Sequence, residues 1–257
     1  MVRLTRLGKP AELTTAVQTQ LTDEYKLNGT AVWKQKYIER NLLKMSFEKC
    51  CYCECKLNEE SKYLEVEHFF PKNIYKDQVV EWLNLLPSCK RCNGNKSDLD
   101  PATTPIINPS VDNPQINIYL RGYRFYKITD KGNNSIEELD LNNRRRLVDK
   151  RYFIGCKIEE QLEVILEKAQ EYHAAGTKLN RKKNKLINSI TELMKEGHRD
   201  SQYSAVAATM ILTNDNFKEI KKIIFTEGLW NNELEHSERE LYYCSLPTSK
   251  NNNVYDV

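Results

Sequence analysis

The chain has no run of about 18 apolar residues, so a helical membrane span is not expected. Its opening, MVRLTRLGKPAEL, lacks the apolar core of a secretory signal, which points to the cytoplasm. There is no glycine-rich, phosphate-cradling loop, so this chain is not expected to bind ATP by itself. There is no internal repeat. There is also no strong excess of one charge: 39 basic against 36 acidic residues leave a net +3, which excludes a polybasic coat and confines any nucleic-acid surface to a local patch. The 257 residues are enough for one large or two modest domains, with 29% charged and 40% hydrophobic residues as in ordinary soluble proteins.

Eight cysteines in a long chain without an export signal argue against a disulfide scaffold. Six of them fall between positions 50 and 92. Cys50/Cys53 and Cys89/Cys92 are two Cys-x-x-Cys pairs separated by 35 residues. Structural zinc takes four thiolate or imidazole ligands in a tetrahedron, and such knuckles deliver them in pairs. Cys51 and Cys55 crowd the first knuckle, and pairings of Cys55 with Cys51 or Cys53 stay open, although only Cys50/Cys53 repeats the spacing of Cys89/Cys92. Cys156 and Cys244 read as small apolar residues or free thiols.

Apolar periodicity predicts two helices within 11–47, with Gly29 as the stop of the first and Thr30 as the N-cap of the second. Lys62 to Phe70 suits a strand ended by Pro71, and Glu81 to Leu86 leads into the second knuckle, whose tail opens a helix. Prolines at 101, 105, 109 and 114 mark a loop-rich connector, with Ile106-Ile107 and 116–126 as candidate strands. Residues 141–227 are strongly helical, and the tail after Pro247 is polar. The domains expected are an N-terminal helical segment (1–48), a catalytic core (49–110) and a mostly helical C-terminal domain (111–257).

Between the knuckles and just after the second lie the groups phosphodiester hydrolysis needs. A neutral imidazole near its operating pKa activates water, and a hard cation on oxygen ligands neutralises the leaving group. His68 is the sole histidine of the segment; Glu67 and Asn93 are oxygen donors suited to Mg²⁺ or Mn²⁺; Lys96 can meet a phosphate as a point charge. Glu65, two residues before Glu67, reads mostly as a solvated acid. The plain alternative for His68, a satisfied strand histidine, must also account for Glu67, Asn84, Asn93 and Lys96 in register with both knuckles.

Glu67-His68, Asn84, Cys89-Lys-Arg-Cys92-Asn93 and Lys96 resemble the HNH endonuclease family. The resemblance implies a mainly α chain with an HNH ββα-metal finger and four-cysteine zinc knuckles embedded between helical segments. It implies that His68 is the general base, that Asn84 completes the catalytic set by fixing the loop, that Glu67 and Asn93 hold the catalytic metal, and that Cys50, Cys53, Cys89 and Cys92 hold a structural zinc. Lys96 and Arg91 then face nucleic acid. Glu67 departs from the commoner Asp, and Asn93 stands in place of His. A narrower resemblance, over roughly residues 1–110, is to the nucleases of Septu antiphage defence, also found with some retrons. It rests on CCYCE, EVEHFFPK, EWLNLLPSCKRCNGNKSD and PIINP. This likeness implies a hetero-oligomer gated by a PtuA-like ABC-type ATPase. DNA is the favoured substrate and RNA, tRNA included, the rival. A non-catalytic zinc adaptor of the ATPase and a site-specific nuclease acting alone are further alternatives.

Elsewhere, Arg144-Arg145-Arg146 with Lys150 and Arg151, and Arg181-Lys182-Lys183 with Lys185, are basic runs that read first as solvated helix faces and second as phosphate tracks. Tyr119, Tyr123, Phe125 and Tyr126 alternate with Arg121 and Arg124 and suit strand packing more than base stacking. Trp33, Trp82 and Trp230 read as core, and His173, His198 and His236 as surface residues.

Overall fold

A computed structural model describes residues 1–57, 59 and 63–251. Lys62 of the expected first strand and the tail 252–257 lie outside the described residues. The chain is mainly helical and divides into two compact units: Met1–Asn117 with Tyr126–Asn142, and Ile118–Phe125 with Asn143–Val257.

The first unit opens with α1 (Thr15–Asn28) and α2 (Lys36–Ser46). Thr14 caps α1 by accepting from the Val17 N–H, and Gly29 ends it in the left-handed region (φ 68°), where no side chain is penalised. Thr30 does not cap α2. A turn intervenes and Gln35 precedes the helix without a side-chain cap. Helix α2 stops at Ser46 because Phe47 and Glu48 both adopt positive φ (53° and 59°), a costly pair for non-glycine residues. That reversal aims the chain into the first knuckle.

Strands β1 (Leu64–His68) and β2 (Leu85–Cys89) pair antiparallel, Leu64 opposite Cys89 and His68 opposite Leu85. Helix α3 (Lys90–Lys96) follows β2 directly. Helix α2 covers the hairpin from one side, and α3 packs on both strands. Leu13, Ile38, Leu42, Leu85, Leu86 and Ile107 are fully buried beneath them. Burial of each such side chain contributes about 1.5–3 kcal/mol. Helix α4 (Asp130–Glu138), capped by Thr129, completes the unit.

Over 118–127, β3 (Ile118–Arg121) and β4 (Arg124–Lys127) flank a Gly122-Tyr123 turn with both φ positive (54° and 66°), the geometry of a two-residue hairpin. A π-helical turn, Arg144–Val148, leads into α5 (Asp149–Ala174), followed by α6 (Asn180–Lys195), α7 (Ser204–Thr213), α8 (Asp215–Thr226) and α9 (Asn232–Cys244). Helix α7, SAVAATMILT, is buried nearly all round, as expected of a helix packed against α5, α8 and α9. Two close approaches depend on glycine. A Cβ on Gly155 would meet the Tyr123 ring at 2.3 Å, and one on Gly197 would meet Leu241 at 2.3 Å and the Ala208 backbone at 2.9 Å. Arg151 leaves the exposed basic run expected of it: it is buried, its guanidinium 3.9 Å from the Phe125 ring centroid. Trp230 is not core; half-exposed, it stacks on Phe225 with Lys221 above. His198 is half-buried. Among the described residues, no helix is long and apolar enough to cross a membrane.

Candidate metal centre and active site

The sulfurs of Cys50, Cys53, Cys89 and Cys92 all lie within 4.8 Å of one another, and all four residues are buried. The local fold follows from the two knuckles. The Cys50 N–H donates to the Cys55 carbonyl (2.9 Å), the Glu54 N–H to the Cys50 carbonyl (3.0 Å), and the Cys51 N–H to the Pro87 carbonyl of β2 (2.8 Å). Glu54 takes positive φ (64°) to close the first loop. The Cys89 sulfur accepts from the Cys92 N–H and so caps α3.

The cluster fits a tetrahedral thiolate site. Zn–S bonds of about 2.3 Å place sulfurs about 3.8 Å apart, and Cys53 and Cys89 stand 3.8 Å apart. Four thiols cannot all ionise this close together without a cation. Burial raises Cys50, but hydrogen bonds from Cys51, Cys53, Cys55 and Cys89 outweigh it and hold Cys50 low. Cys50 in turn pushes Cys53, Cys55 and Cys92 up. Burial lowers Arg91, yet the facing thiolates Cys92, Cys53 and Cys89 raise it above its ordinary value. Its guanidinium lies 3.7 Å from the Cys92 sulfur and 3.4 Å from the Asp140 carbonyl. Arg91 therefore offsets thiolate charge at the cluster, where the sequence suggested a contact to nucleic acid.

The register places the cysteines and His68 at opposite ends of the hairpin. Four residues of strand separate them by about 13 Å at 3.3 Å each. Helix α3 runs back along the hairpin from Cys92, so its last turn reaches Glu67 and His68. The Lys96 ammonium is fully buried, 2.9 Å from Glu67 Oε1 and 2.9 Å from the His68 carbonyl. The sequence suggested that Lys96 meets a phosphate; here it faces these two oxygens inside the protein. Tyr52 donates to Glu67 at 3.4 Å. Burial pushes the Glu67 carboxyl up to about 7 even though Lys96 and Tyr52 pull it down.

His68 Nε2 lies 2.9 Å from the Val79 carbonyl. A carbonyl can only accept, so Nε2 carries the proton and Nδ1 keeps its lone pair. Burial, with Lys72 and Lys96 nearby, brings the imidazole down to about 4 against the pull of the Val79 bond. It is neutral at neutral pH, though lower than the near-operating pKa expected from sequence. Trp33 packs edge-on against it (4.9 Å between centroids), and Lys72 lies over the same indole.

Asn84 holds the loop after β1 through both ends of its amide. Its oxygen accepts from the Phe70 N–H (2.7 Å), and its nitrogen donates to the carbonyls of Phe70 (3.0 Å) and Gln78 (3.1 Å).

Glu65, Glu67, His68 and Asn93 line one polar cavity of about 220 Å³. Trp33, Lys34, Lys72 and Asp98 share its wall, and sequence reasoning missed all four. Trp33 in particular lines the cavity instead of the core. Only Lys72 and Asp98 carried a signal, by lying beside Pro71 and just past Lys96. The oxygens of Glu67 and Asn93 are of the kind that hold a hard divalent cation, with Lys96 already paired to the Glu67 carboxyl.

Fold and site together define a mainly helical protein with four clustered cysteines fit to hold a metal ion such as zinc. Among relatives, the chain is 41% identical over 256 residues to the Septu protein PtuB of Bacillus thuringiensis, covering 98% of this chain and 99% of the relative. It is 26% identical over 254 residues to the Septu protein PtuB of Bacillus mycoides (strain KBAB4), covering 83% and 85%. The chain belongs to the PtuB family of Septu proteins. No protein-family profile matches it, and no solved structure matches it.

Proposed function

We propose that this protein is a metal-dependent HNH nuclease, the effector of a Septu antiphage defence system gated by a PtuA-like ABC-type ATPase. The observation that carries the reading is the strand–strand–helix unit that brings Glu67, His68 and Asn93 to one cavity, with Asn84 holding the adjoining loop. Family membership supplies the defence setting. The absence of a phosphate-cradling loop assigns ATP to the partner.

In this reading His68 takes a proton from water on Nδ1 as the water oxygen attacks phosphorus. The P–O3′ bond breaks, and the leaving oxygen takes up a proton from solvent, giving a 3′-hydroxyl and a 5′-phosphate. Glu67 and Asn93 would hold a divalent cation, Mg²⁺ or Mn²⁺, which would supply charge neutralisation at the leaving oxygen. Lys96 and Tyr52 hold the Glu67 carboxyl in place. Trp33 shields one side of the imidazole from solvent. Zinc on Cys50, Cys53, Cys89 and Cys92 clamps the far end of the hairpin to α3 and takes no part in chemistry.

The test is incubation of supercoiled plasmid and total tRNA with wild type and His68→Ala, in Mg²⁺ or Mn²⁺, with and without the partner ATPase. Cutting by wild type and not by His68→Ala supports the mechanism, and the polymer consumed names the substrate, DNA being favoured. A second reading, a non-catalytic zinc adaptor, draws on the Lys96–Glu67 ion pair, which already neutralises the proposed metal ligand. It requires that His68→Ala keep full antiphage protection.

A further inference from the structure

The chain's near-neutral total charge means that any grip on nucleic acid must be local. A surface of that kind lies in the helical unit, away in sequence from the cavity. In the π-turn before α5, Arg144, Arg145 and Arg146 are all exposed, and Leu147 is the residue that is buried. The Asn143 side chain caps the turn by accepting from the Arg146 N–H at 3.1 Å. Among the described residues, none of these arginines, nor exposed Lys150, forms an ion pair. In the other basic run Lys182 faces Glu171 at 3.7 Å, while among the described residues Arg181, Lys183 and Lys185 form no ion pair.

Two exposed aromatic rings follow at the start of α5, six and seven residues after Arg146. Tyr152 is 50% exposed and Phe153 is 65% exposed, with centroids 5.8 Å apart. Lys150 and Phe153 are three apart and share one face of α5. Tyr152 is braced edge-on by Tyr123 at 5.5 Å, and Tyr123 is locked against Gly155. Unpaired cations next to open, braced rings match the chemistry of a phosphodiester strand with unstacked bases: arginine on phosphate, ring on base.

We propose that Arg144, Arg145, Arg146, Lys150, Tyr152 and Phe153 form a docking surface for single-stranded nucleic acid. It deepens the nuclease reading by supplying part of the substrate grip, and rests on that reading for its purpose but not for its binding. The full chain carrying His68→Ala, zinc-loaded, is titrated into fluorescein-labelled 20-nucleotide single-stranded DNA, single-stranded RNA and duplex DNA over a range of salt, with anisotropy as the readout. Two variants are compared in that background: Arg144→Ala/Arg145→Ala/Arg146→Ala, and Tyr152→Ala/Phe153→Ala. A third, Arg181→Ala/Lys182→Ala/Lys183→Ala, removes equal charge elsewhere. All substituted positions but Lys183 are exposed, and melting curves check the fold.

The triple-arginine variant is expected to weaken single-strand binding at least about tenfold and to reduce the salt slope by about 2, three contacts at about 0.7 each. The aromatic variant is expected to lose about tenfold on single strands, as for one stacked base, with duplex binding changed by less than about twofold. The RNA and DNA arms identify the sugar. Four results overturn the proposal: no binding by the parent protein, equal loss from the α6 control, an unchanged salt slope, or loss of ATPase association in place of nucleic-acid binding. Binding that persists where wild type never cuts would sink the nuclease reading and leave this surface standing.

Discussion

Asn84→Ala isolates the loop that carries His68 to Phe70. The side chain makes three short hydrogen bonds while 2% exposed: one accepted from the Phe70 N–H and two donated to the carbonyls of Phe70 and Gln78. Each is worth about 1 kcal/mol net, and truncation leaves three backbone groups without their partner. The expected cost is about 3 kcal/mol, a large share of a stability of about 5–15 kcal/mol. Asn84→Asp keeps the acceptor but sets a carboxylate against two carbonyl oxygens, so it should cost at least as much. Because the chain has two units, a global melt can blur a local loss. Amide hydrogen exchange at Phe70 is the sharper assay. Its N–H should exchange about 100-fold faster in Asn84→Ala, the factor for roughly 3 kcal/mol of lost protection. Unchanged protection at Phe70, or a stability change below about 0.5 kcal/mol, would refute the argument that the amide fixes this loop.

Other perturbations test separate parts of the account. Purified protein should carry about one zinc per chain by elemental analysis, retained in Cys156→Ser and Cys244→Ser but mostly lost in Cys53→Ser or Cys89→Ser, since a four-thiolate site loses its closed shell with any one ligand. Gly197→Ala should destabilise by about 1–3 kcal/mol in urea titration, because its new methyl overlaps Leu241 and the Ala208 backbone. Burial raises Glu240, but Arg199, paired to it through two bonds of 2.6 and 2.5 Å, outweighs that and lowers its pKa. A depressed carboxylate contributes stability above its unfolded pKa that is lost as pH falls through the folded value. Wild type should thus lose more stability than Glu240→Gln between pH 5 and about 3; parallel pH profiles would remove this pair from the ledger.

Some of this architecture is legible in the residues and some is not, for reasons that differ. The two Cys-x-x-Cys spacings report a tetrahedral donor set, and the four sulfurs do gather. Gly29 marks the end of α1 because a positive φ there favours glycine. Glu67 and His68 lie on a strand with Asn84 on the turn before its partner, since β-branched and apolar residues flank them and Pro71 ends the run. Lys96 was misread for a general reason: lysines are seldom fully buried, and one becomes so only where a carboxylate such as Glu67 waits across the packing interface. Arg151 is hidden under Phe125 for the same kind of reason. Trp33 and Lys34 come to the cavity from the turn before α2, a long-range contact that no local periodicity encodes. The π-turn at Arg144–Val148 is equally silent, because its sequence fits an ordinary helical start.

The most direct test of the central claim is a single-turnover cleavage assay with end-labelled DNA and tRNA, in Mn²⁺ and with the ATPase present, on wild type and His68→Ala matched for zinc content and melting temperature. The account predicts metal-dependent cutting by wild type that leaves 5′-phosphate ends and a loss of at least about 100-fold in His68→Ala, the lower end of the range for removing a general base. Equal rates from the two proteins, or no cutting by a folded, zinc-loaded wild type with its partner present, would contradict it.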